Sequence, residues 1–531
     1  MRMRLDLKCT DEYGYKVKAM SCLKHAKAVA VVIAMTATLM ATQRSEAADV
    51  AVGVTEGMLA GRQADDVDFF GSIPFAAPPV GPLRWRAPQP AAPWDGRRDA
   101  TVRAPICMQP RGPGAEEGVN GATMREDCLY LNLWRPATRP AARLPVMVWI
   151  HGGAFRGGGG ALPLYDGTSL ARRGVIIVTI NYRLGAFGTF SHPALRAESP
   201  GAATGNFGLL DQMAALRWVR TNIGAFGGDP DNVTVFGESA GGASILYLLG
   251  SPIAKGLFRR AIVQSGALDL DEPDMAAADA IGAAMARRVD DSTPGDDRSV
   301  LQRLRSMASE RVLDMPARRS DTMPFIDGQV IPRRMREAFA QGAFQRVDLL
   351  IGRNSDEAGF FPQGFYRSLP MRFGDAWPDA RKLIDPQGRH EEMWAARLLA
   401  GDLFAGIGTR GIAGAAAEHG ASVYQYLFDY VPASRRAQDA GAVHTADLPY
   451  VFGTLPASSD PGQTDVARRI GDLWVGFAKT GIPATSGVPA WPRYDGRRLL
   501  MRIGADGFTV GGDPAEARLR ALDRPRGWHV N

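Results

Sequence analysis

Cysteine is scarce in this chain. The 531 residues contain four, at positions 9, 22, 107 and 128. That is too few for a zinc-ribbon or zinc-finger site, and no H-E-x-x-H pair is present to hold a catalytic zinc. No metal or cofactor is therefore expected. Apolar runs are short as well. Ala28 to Ala41 is a largely apolar stretch of 14 residues, below the ~20 needed to span a bilayer as a helix. Charge of one sign is also lacking. The formal net charge is +6, and residues 1–47 account for +4 of it with eight Lys/Arg against four Asp/Glu, leaving +2 for the remainder. A nearly neutral body gives no electrostatic reason to expect nucleic acid or an anionic membrane surface as partner. Internal repeats and long low-complexity linkers are absent. The glycine run Gly157-Gly158-Gly159-Gly160 is not followed by Gly-Lys-Ser/Thr, which rules out a phosphate-binding P-loop.

What is present begins with a leader. Lys24 and Lys27 precede the apolar run, and Ser45-Glu46-Ala47 offers small residues where a signal peptidase cuts. Residues 1–47 are expected to be a removed secretory signal peptide, with translation starting at Met1 or Met20. No cysteine closely follows the run, so no lipid anchor is expected, and no twin arginine precedes it. The mature protein, 48–531, is expected in the periplasm or outside the cell. Cys107 and Cys128 then remain as a single pair in an oxidising compartment.

From about Val146 to Phe428, apolar strand-like runs alternate with helical segments. This predicts an α/β fold with a mostly parallel central sheet and helices on both faces. The length exceeds a typical domain, yet large α/β folds form one unit, and 48–531 is read as a single domain. Asp465 to Lys479 reads as a helix with Val466, Ile470, Leu473, Trp474 and Phe477 on one face. Met108 to Arg125 and Pro432 to Ala440 read as surface loops.

Two segments carry chemistry. Val233-Thr234-Val235-Phe236 reads as a buried strand feeding Gly237-Glu238-Ser239-Ala240-Gly241, the G-x-S-x-G pattern of a nucleophile elbow. Glycine is needed on both sides because a Cβ there would strike neighbouring backbone as the strand turns into a helix. Upstream, the strand Val146 to Ile150 ends in His151-Gly152-Gly153-Ala154-Phe155, a glycine-rich loop suited to aim backbone N–H groups at a developing oxyanion. The following run Gly157 to Gly160 is expected to be a flexible surface loop. Asn232-Val233-Thr234 matches a glycosylation sequon but lies at the strand, and is read as structural.

With these motifs the chain resembles the type-B carboxylesterases, a family of the α/β-hydrolase superfamily that includes cholinesterases and bacterial esterases. The likeness runs through Phe70-Gly71-Ser72-Ile73-Pro74-Phe75-Ala76-Ala77-Pro78-Pro79-Val80-Gly81, Glu126-Asp127-Cys128-Leu129-Tyr130-Leu131-Asn132, Gly205-Asn206-Phe207-Gly208-Leu209-Leu210-Asp211-Gln212, Phe226-Gly227-Gly228-Asp229-Pro230, the elbow itself and Trp491-Pro492-Arg493-Tyr494. The resemblance implies that the acid of a catalytic triad is Glu357, in Gly352-Arg353-Asn354-Ser355-Asp356-Glu357, with Asp356 as the fallback. The glycine usual after this acid is displaced by Ala358. It implies that the base is His444, in Gly441-Ala442-Val443-His444-Thr445-Ala446-Asp447-Leu448-Pro449-Tyr450-Val451-Phe452-Gly453. The other six histidines, at 25, 151, 192, 390, 419 and 529, have ordinary structural or surface readings. Ser239, Glu357 and His444 fall in the order expected of α/β-hydrolases. The resemblance further implies N–H donors at Gly153 and Ala154 beside Ala240, a supporting role near the histidine for Ser265, and a Cys107–Cys128 disulfide.

The reading is an exported serine carboxylesterase that uses no cofactor and takes small-molecule esters. An imidazole with a pKa near neutrality would take the serine proton. The alternatives are a lipase, a cholinesterase, a specialised esterase for a toxin, pesticide or polymer ester, and a non-catalytic adhesion-type homologue. The Cys107 to Cys128 segment is rich in Gly, Pro and charge rather than apolar, which disfavours a lipase lid. It has no Trp, Tyr or Phe to stack on choline. Ser239 is present, unlike in the adhesion proteins. A monomer is the default, with oligomers left open.

Overall fold

A computed structural model describes residues 49–523, apart from 113–117, 139, 268–271, 291–296, 360, 362 and 439. The expected signal peptide lies outside the described residues. The strands in chain order are β1 (Asp49–Val54), β2 (Gly57–Ala64), β3 (Val67–Pro74), β4 (Arg97–Asp99), β5 (Ile106–Cys107), β6 (Met124–Arg125), β7 (Tyr130–Pro136), β8 (Leu144–Ile150), β9 (Ile176–Ile180), β10 (Gly228–Glu238), β11 (Arg260–Gln264), β12 (Asp348–Asn354), β13 (Val423–Asp429), β14 (Leu499–Gly504) and β15 (Gly507–Gly512).

All but β5 and β6 join one sheet in the order β1-β2-β3-β7-β9-β8-β10-β11-β12-β13-β14-β15, with β4 beside β2. The stretch from β9 to β14 is parallel throughout, and antiparallel strands flank it. Its inner strands are buried on both faces, which is why they read as continuous runs such as Ile-Ile-Val-Thr-Ile rather than alternating ones. Alternation survives in where the side chains go. On β8, Val146, Val148 and Ile150 enter one core while Met147 and Trp149 enter the other.

Each core is closed by helices. The first takes α1 (Phe207–Asn222) and α2 (Ala240–Gly250); the second takes α3 (Pro461–Thr480). Helix α3 contains the expected 465–479 span but begins earlier. Asp460 caps it, accepting from Gln463 N at 2.9 Å while Gln463 Oε1 accepts from Asp460 N at 3.1 Å, and Pro461 occupies the first turn. A third, smaller core gathers Leu369, Leu399 and Leu519 from helices beside the sheet.

The run Gly157 to Gly160 corrects the sequence reading. Gly158, Gly159 and Gly160 are buried. A Cβ on Gly159 would sit 2.3 Å from Ile106 Cγ2, and one on Gly160 would sit 2.5 Å from Ile180 O. Gly158 N donates to Gln109 Oε1 at 2.8 Å and Gly160 N to Asn181 Oδ1 at 2.9 Å. The glycines are there for close packing, not flexibility. The sequon reading holds: Thr234 is fully buried in β10, and Asn232 accepts a hydrogen bond from Arg260.

Candidate active site

Strands β8, β10 and β12 all run the same way, so their C-terminal ends deliver three loops to one edge of the sheet, the usual ligand side of a parallel sheet. At the end of β10 the chain reverses at Ser239, whose backbone is strained at φ 53°, ψ −122°. The flanking glycines permit this. A Cβ on Gly241 would lie 1.9 Å from Ile150 O, and one on Gly237 2.7 Å from the same oxygen. Ser239 N donates to Gln264 O at 2.9 Å, which ties the elbow to β11. Among the described residues Ser239 Oγ makes no hydrogen bond.

The loop after β8 lies against the elbow. A Cβ on Gly152 would come within 3.2 Å of Ser239 Cβ. Gly153, Ala154 and Phe155 all have positive φ, at 104°, 54° and 58°. Two peptide planes are held from behind. Gly152 O accepts from His151 Nδ1 at 2.8 Å, and Gly153 O accepts from Arg156 N and Gly157 N, both at 2.9 Å. A trans peptide directs its N–H opposite its C=O, so the Gly153 and Ala154 N–H groups point the other way. Neither has an acceptor among the described residues. Ala240 opens α2, so its N–H is one of the orphan donors of a helix start.

His151 was expected only to precede this loop. It is fully buried, stacked on Tyr182 with ring centroids 4.4 Å apart, and Tyr182 Oη donates to its carbonyl at 2.8 Å. Burial pushes its pKa down to about 4, against a small opposing effect of the Gly152 carbonyl. The ring therefore stays neutral with the proton on Nδ1, where it holds the Gly152 carbonyl.

The loop after β12 is zipped to the histidine segment. Asp356 N donates to Ala442 O at 2.9 Å, Asn354 Nδ2 to Val443 O at 2.8 Å and Ala442 N to Ser355 Oγ at 2.9 Å. This brings together two residues 87 apart in sequence: His444 Nδ1 donates to Glu357 Oε2 at 2.6 Å. The other Glu357 oxygen accepts from Asn354 N at 2.7 Å. Asp356, the fallback, is committed elsewhere, since Arg397 grips both its carboxylate oxygens.

Three features of the site escaped the sequence reading. Glu238, inside the elbow motif itself, places Oε1 3.1 Å from His444 Nε2. Asp447, three residues past the histidine, accepts from Gln264 Nε2 at 2.6 Å and from Asn354 Nδ2 at 3.3 Å. Phe404, on a single π-helical turn (Asp402–Gly406), meets the His444 ring edge to face at 5.4 Å. The motif quoted Glu238 and Asp447; what it could not show was which way they point. Ser265, at φ 49° and fully buried, makes no side-chain hydrogen bond among the described residues; its neighbour Gln264 makes the contact to the histidine segment. Burial lowers the His444 pKa, but Glu238, Glu357 and Asp447 together outweigh it and raise the value to about 9, well above the near-neutral value expected.

Comparison with known proteins gives the family. Residues 46–372 and 380–521 match the model of the carboxylesterase family. The chain belongs to that family. It is similar to a fumonisin B1 esterase of Sphingopyxis macrogoltabida, with 38% identity over 485 residues covering 85% of this chain and 86% of that one. A para-nitrobenzyl esterase of Bacillus subtilis is 37% identical over 497 residues, covering 89% and 98%. A solved PNB esterase superposes with TM-score 0.76 at 36% identity, covering 88% of this chain and 99% of that one. This carboxylesterase therefore has the α/β-hydrolase fold. The described residues contain no His/Cys/Asp/Glu cluster able to hold a metal, and no helix long and apolar enough to cross a membrane. Cys107 and Cys128 form a disulfide with Cα atoms 5.0 Å apart.

Proposed function

We propose that this carboxylesterase hydrolyses small-molecule carboxylic esters through an acyl-enzyme on Ser239. The buried Glu357–His444 contact supports the reading, with Nε2 of the same ring 3.1 Å from Glu238, the residue before the strained Ser239. Ser239 Oγ attacks the ester carbonyl as His444 Nε2 takes its proton. The resulting oxyanion accepts from the N–H groups of Gly153, Ala154 and Ala240. Collapse breaks the bond to the alcohol, which leaves with the proton from His444. Water, deprotonated by the same nitrogen, then attacks the acyl group, and the free acid departs. Glu357 holds the ring by Nδ1 and stabilises the imidazolium. For Nε2 to serve, the ring must face Ser239 rather than Glu238, an adjustment of the kind that accompanies substrate binding.

The leader in residues 1–47 supports export through a cleaved signal peptide to the periplasm or beyond, and leaves 48–531 as one catalytic domain acting as a monomer without a cofactor. The test is labelling with a fluorophosphonate followed by peptide mapping. The adduct is expected on the peptide containing Ser239, with loss of hydrolysis of p-nitrophenyl and p-nitrobenzyl esters. Adduct on another residue, with Ser239→Ala still active, rejects the mechanism.

A further inference from the structure

A cavity is lined in part by the loop that the disulfide closes. It is about 680 Å³, within the range of small-molecule sites, roughly 300–1,000 Å³. None of Ser239, His444, Glu357, Gly153, Ala154 or Ala240 lines it. Three guanidinium groups do, from Arg98 on β4, Arg103, and Arg125 on β6, and among the described residues Asp127 is the one carboxylate beside them. Arg103 is satisfied by Asp166 and by the carbonyls of Ala161 and Leu162. Asp127 accepts from Tyr130 Oη at 3.0 Å.

Neither of the other two has an ion pair among the described residues, and Arg98 is held by a hydrogen bond to Tyr130 instead. Arg98 lies over the Trp94 and Tyr130 rings, with its guanidinium carbon 5.4 and 5.8 Å from their centroids. Its Nε is buried without a hydrogen-bond acceptor. Arg125 is exposed and has no ion pair or hydrogen bond among the described residues. That nitrogen is shut off from solvent, and so from a ligand in the cavity, which meets the rest of the Arg98 side chain. Much of the rest of the lining is apolar, and Val102 and Pro163 supply its exposed part.

We propose that this cavity is a binding site for an organic monocarboxylate, with its carboxylate at Arg98 and Arg125 and its apolar tail or ring against Val102 and Pro163. The acid released by ester hydrolysis has this chemistry, as does any fatty or aromatic acid in the surroundings. The site itself does not depend on which supplies it. Arg103 positions the apolar wall rather than the ligand, because its hydrogen bonds hold Ala161 and Leu162.

The test is calorimetric titration of the folded protein, with Ser239 first blocked by an organophosphate, using octanoate, benzoate, octanol and inorganic phosphate as probes. Octanoate and benzoate are expected to bind and octanol to bind far more weakly. Arg125→Ala is expected to weaken octanoate about tenfold, as loss of a charge-assisted contact does, and Arg98→Gln by a similar factor. Arg125 is exposed, so its variant decides the matter even if Arg98→Gln folds poorly. Absence of octanoate binding, phosphate binding as tightly as octanoate, or binding unchanged in Arg125→Ala overturns the proposal. So does octanoate binding only to unblocked enzyme, which would put it in the catalytic site. A serine that resists the organophosphate counts against the acyl-enzyme reading instead, and the Arg125→Ala comparison still decides the carboxylate site.

Discussion

His444 Nε2 lies 3.1 Å from Glu238 Oε1, on the edge of the ring opposite Glu357. The imidazole thus sits between two buried carboxylates, with Asp447 adding a third negative charge nearby, and its pKa rises to about 9. A general base must be neutral, so kcat/KM should climb with pH along a limb near 9 rather than near the ordinary 6.5. Replacing Glu238 by Gln removes one carboxylate and should move that limb down by about one unit or more. The check is a kcat/KM profile from pH 5 to 10 for both proteins. A limb near 6.5 that Glu238→Gln leaves in place would show that Glu238 does not set the base.

The triad residues should fail as a unit. Ser239→Ala and His444→Ala are each expected to lower kcat by about 10⁴-fold or more while the fold persists, and the double variant should be little worse. Glu357→Gln should also be severe, because Gln cannot stabilise the imidazolium. Asp356→Asn, whose partner is Arg397, should keep most activity. Steady-state kinetics on one p-nitrophenyl ester decides. An inactive Asp356→Asn beside an active Glu357→Gln would reverse the assignment of the acid.

His151 should work at a distance from the reacting atoms. Its Nδ1 holds the carbonyl of the peptide whose N–H, on Gly153, is a proposed oxyanion donor. His151→Ala is expected to reduce kcat about 10–100-fold with little change in KM, since one misaligned donor costs up to ~3 kcal/mol in the transition state. Its effect on stability has a definite sign. The folded pKa, about 4, lies below the unfolded 6.5, so the unfolded chain takes up the proton first on acidification. Stability contributed by the neutral ring is complete above 6.5 and falls between 6.5 and 4, by about 3 kcal/mol. His444 acts in the opposite direction: its contribution is complete below 6.5 and is lost as pH rises through about 9. Urea midpoints from pH 4 to 9 should show both limbs, with the acid one reduced in His151→Ala. An unchanged acid limb in that variant removes His151 as its source.

The Cys107–Cys128 bridge closes the loop that carries Gln109, and Gln109 in turn grips Gly158 by both N and O. Reduction is expected to cost about 3 kcal/mol through loop entropy. The native-source protein should begin near Ala48 and show no free thiol. Intact mass before and after reduction and alkylation reads both quantities, and two thiols alkylated without reductant would contradict export into an oxidising compartment.

Substrate scope follows from the oxyanion loop, which resembles that of esterases accepting tertiary-alcohol esters. Its carbonyls are turned away and held by His151, Arg156 and Gly157. We expect this to leave space on the alcohol side, where Ala154 adds only a methyl group. Measurable hydrolysis of tert-butyl acetate is expected, with short acyl chains preferred over long ones. Ready turnover of primary esters with none of the tertiary ester above background would mean that other walls limit the alcohol.

Local patterns alone determined the parallel core and the strand-to-helix turn that carries Ser239. Strand β10 and its glycines are contiguous, and the same few residues that make the turn also place Ser239. The start of α3 was equally legible in Asp460-Pro461-Gly462-Gln463, a capping signal that was passed over. Long-range encounters were not legible in local pattern, and Glu357, His444 and the Cys107–Cys128 pair were implied by family resemblance alone. The choice of Glu357 over Asp356 rests on which side chain the β12 loop turns toward His444 and which toward Arg397. The Gly157 to Gly160 run looked mobile because a glycine string carries no information about its neighbours; Ile106 and Ile180, far off in sequence, press on it. The near-neutral histidine became a strongly basic one for the same reason. A pKa is set by the charges and burial that surround a group in space, and only the tertiary structure put Glu238, Glu357 and Asp447 around one ring.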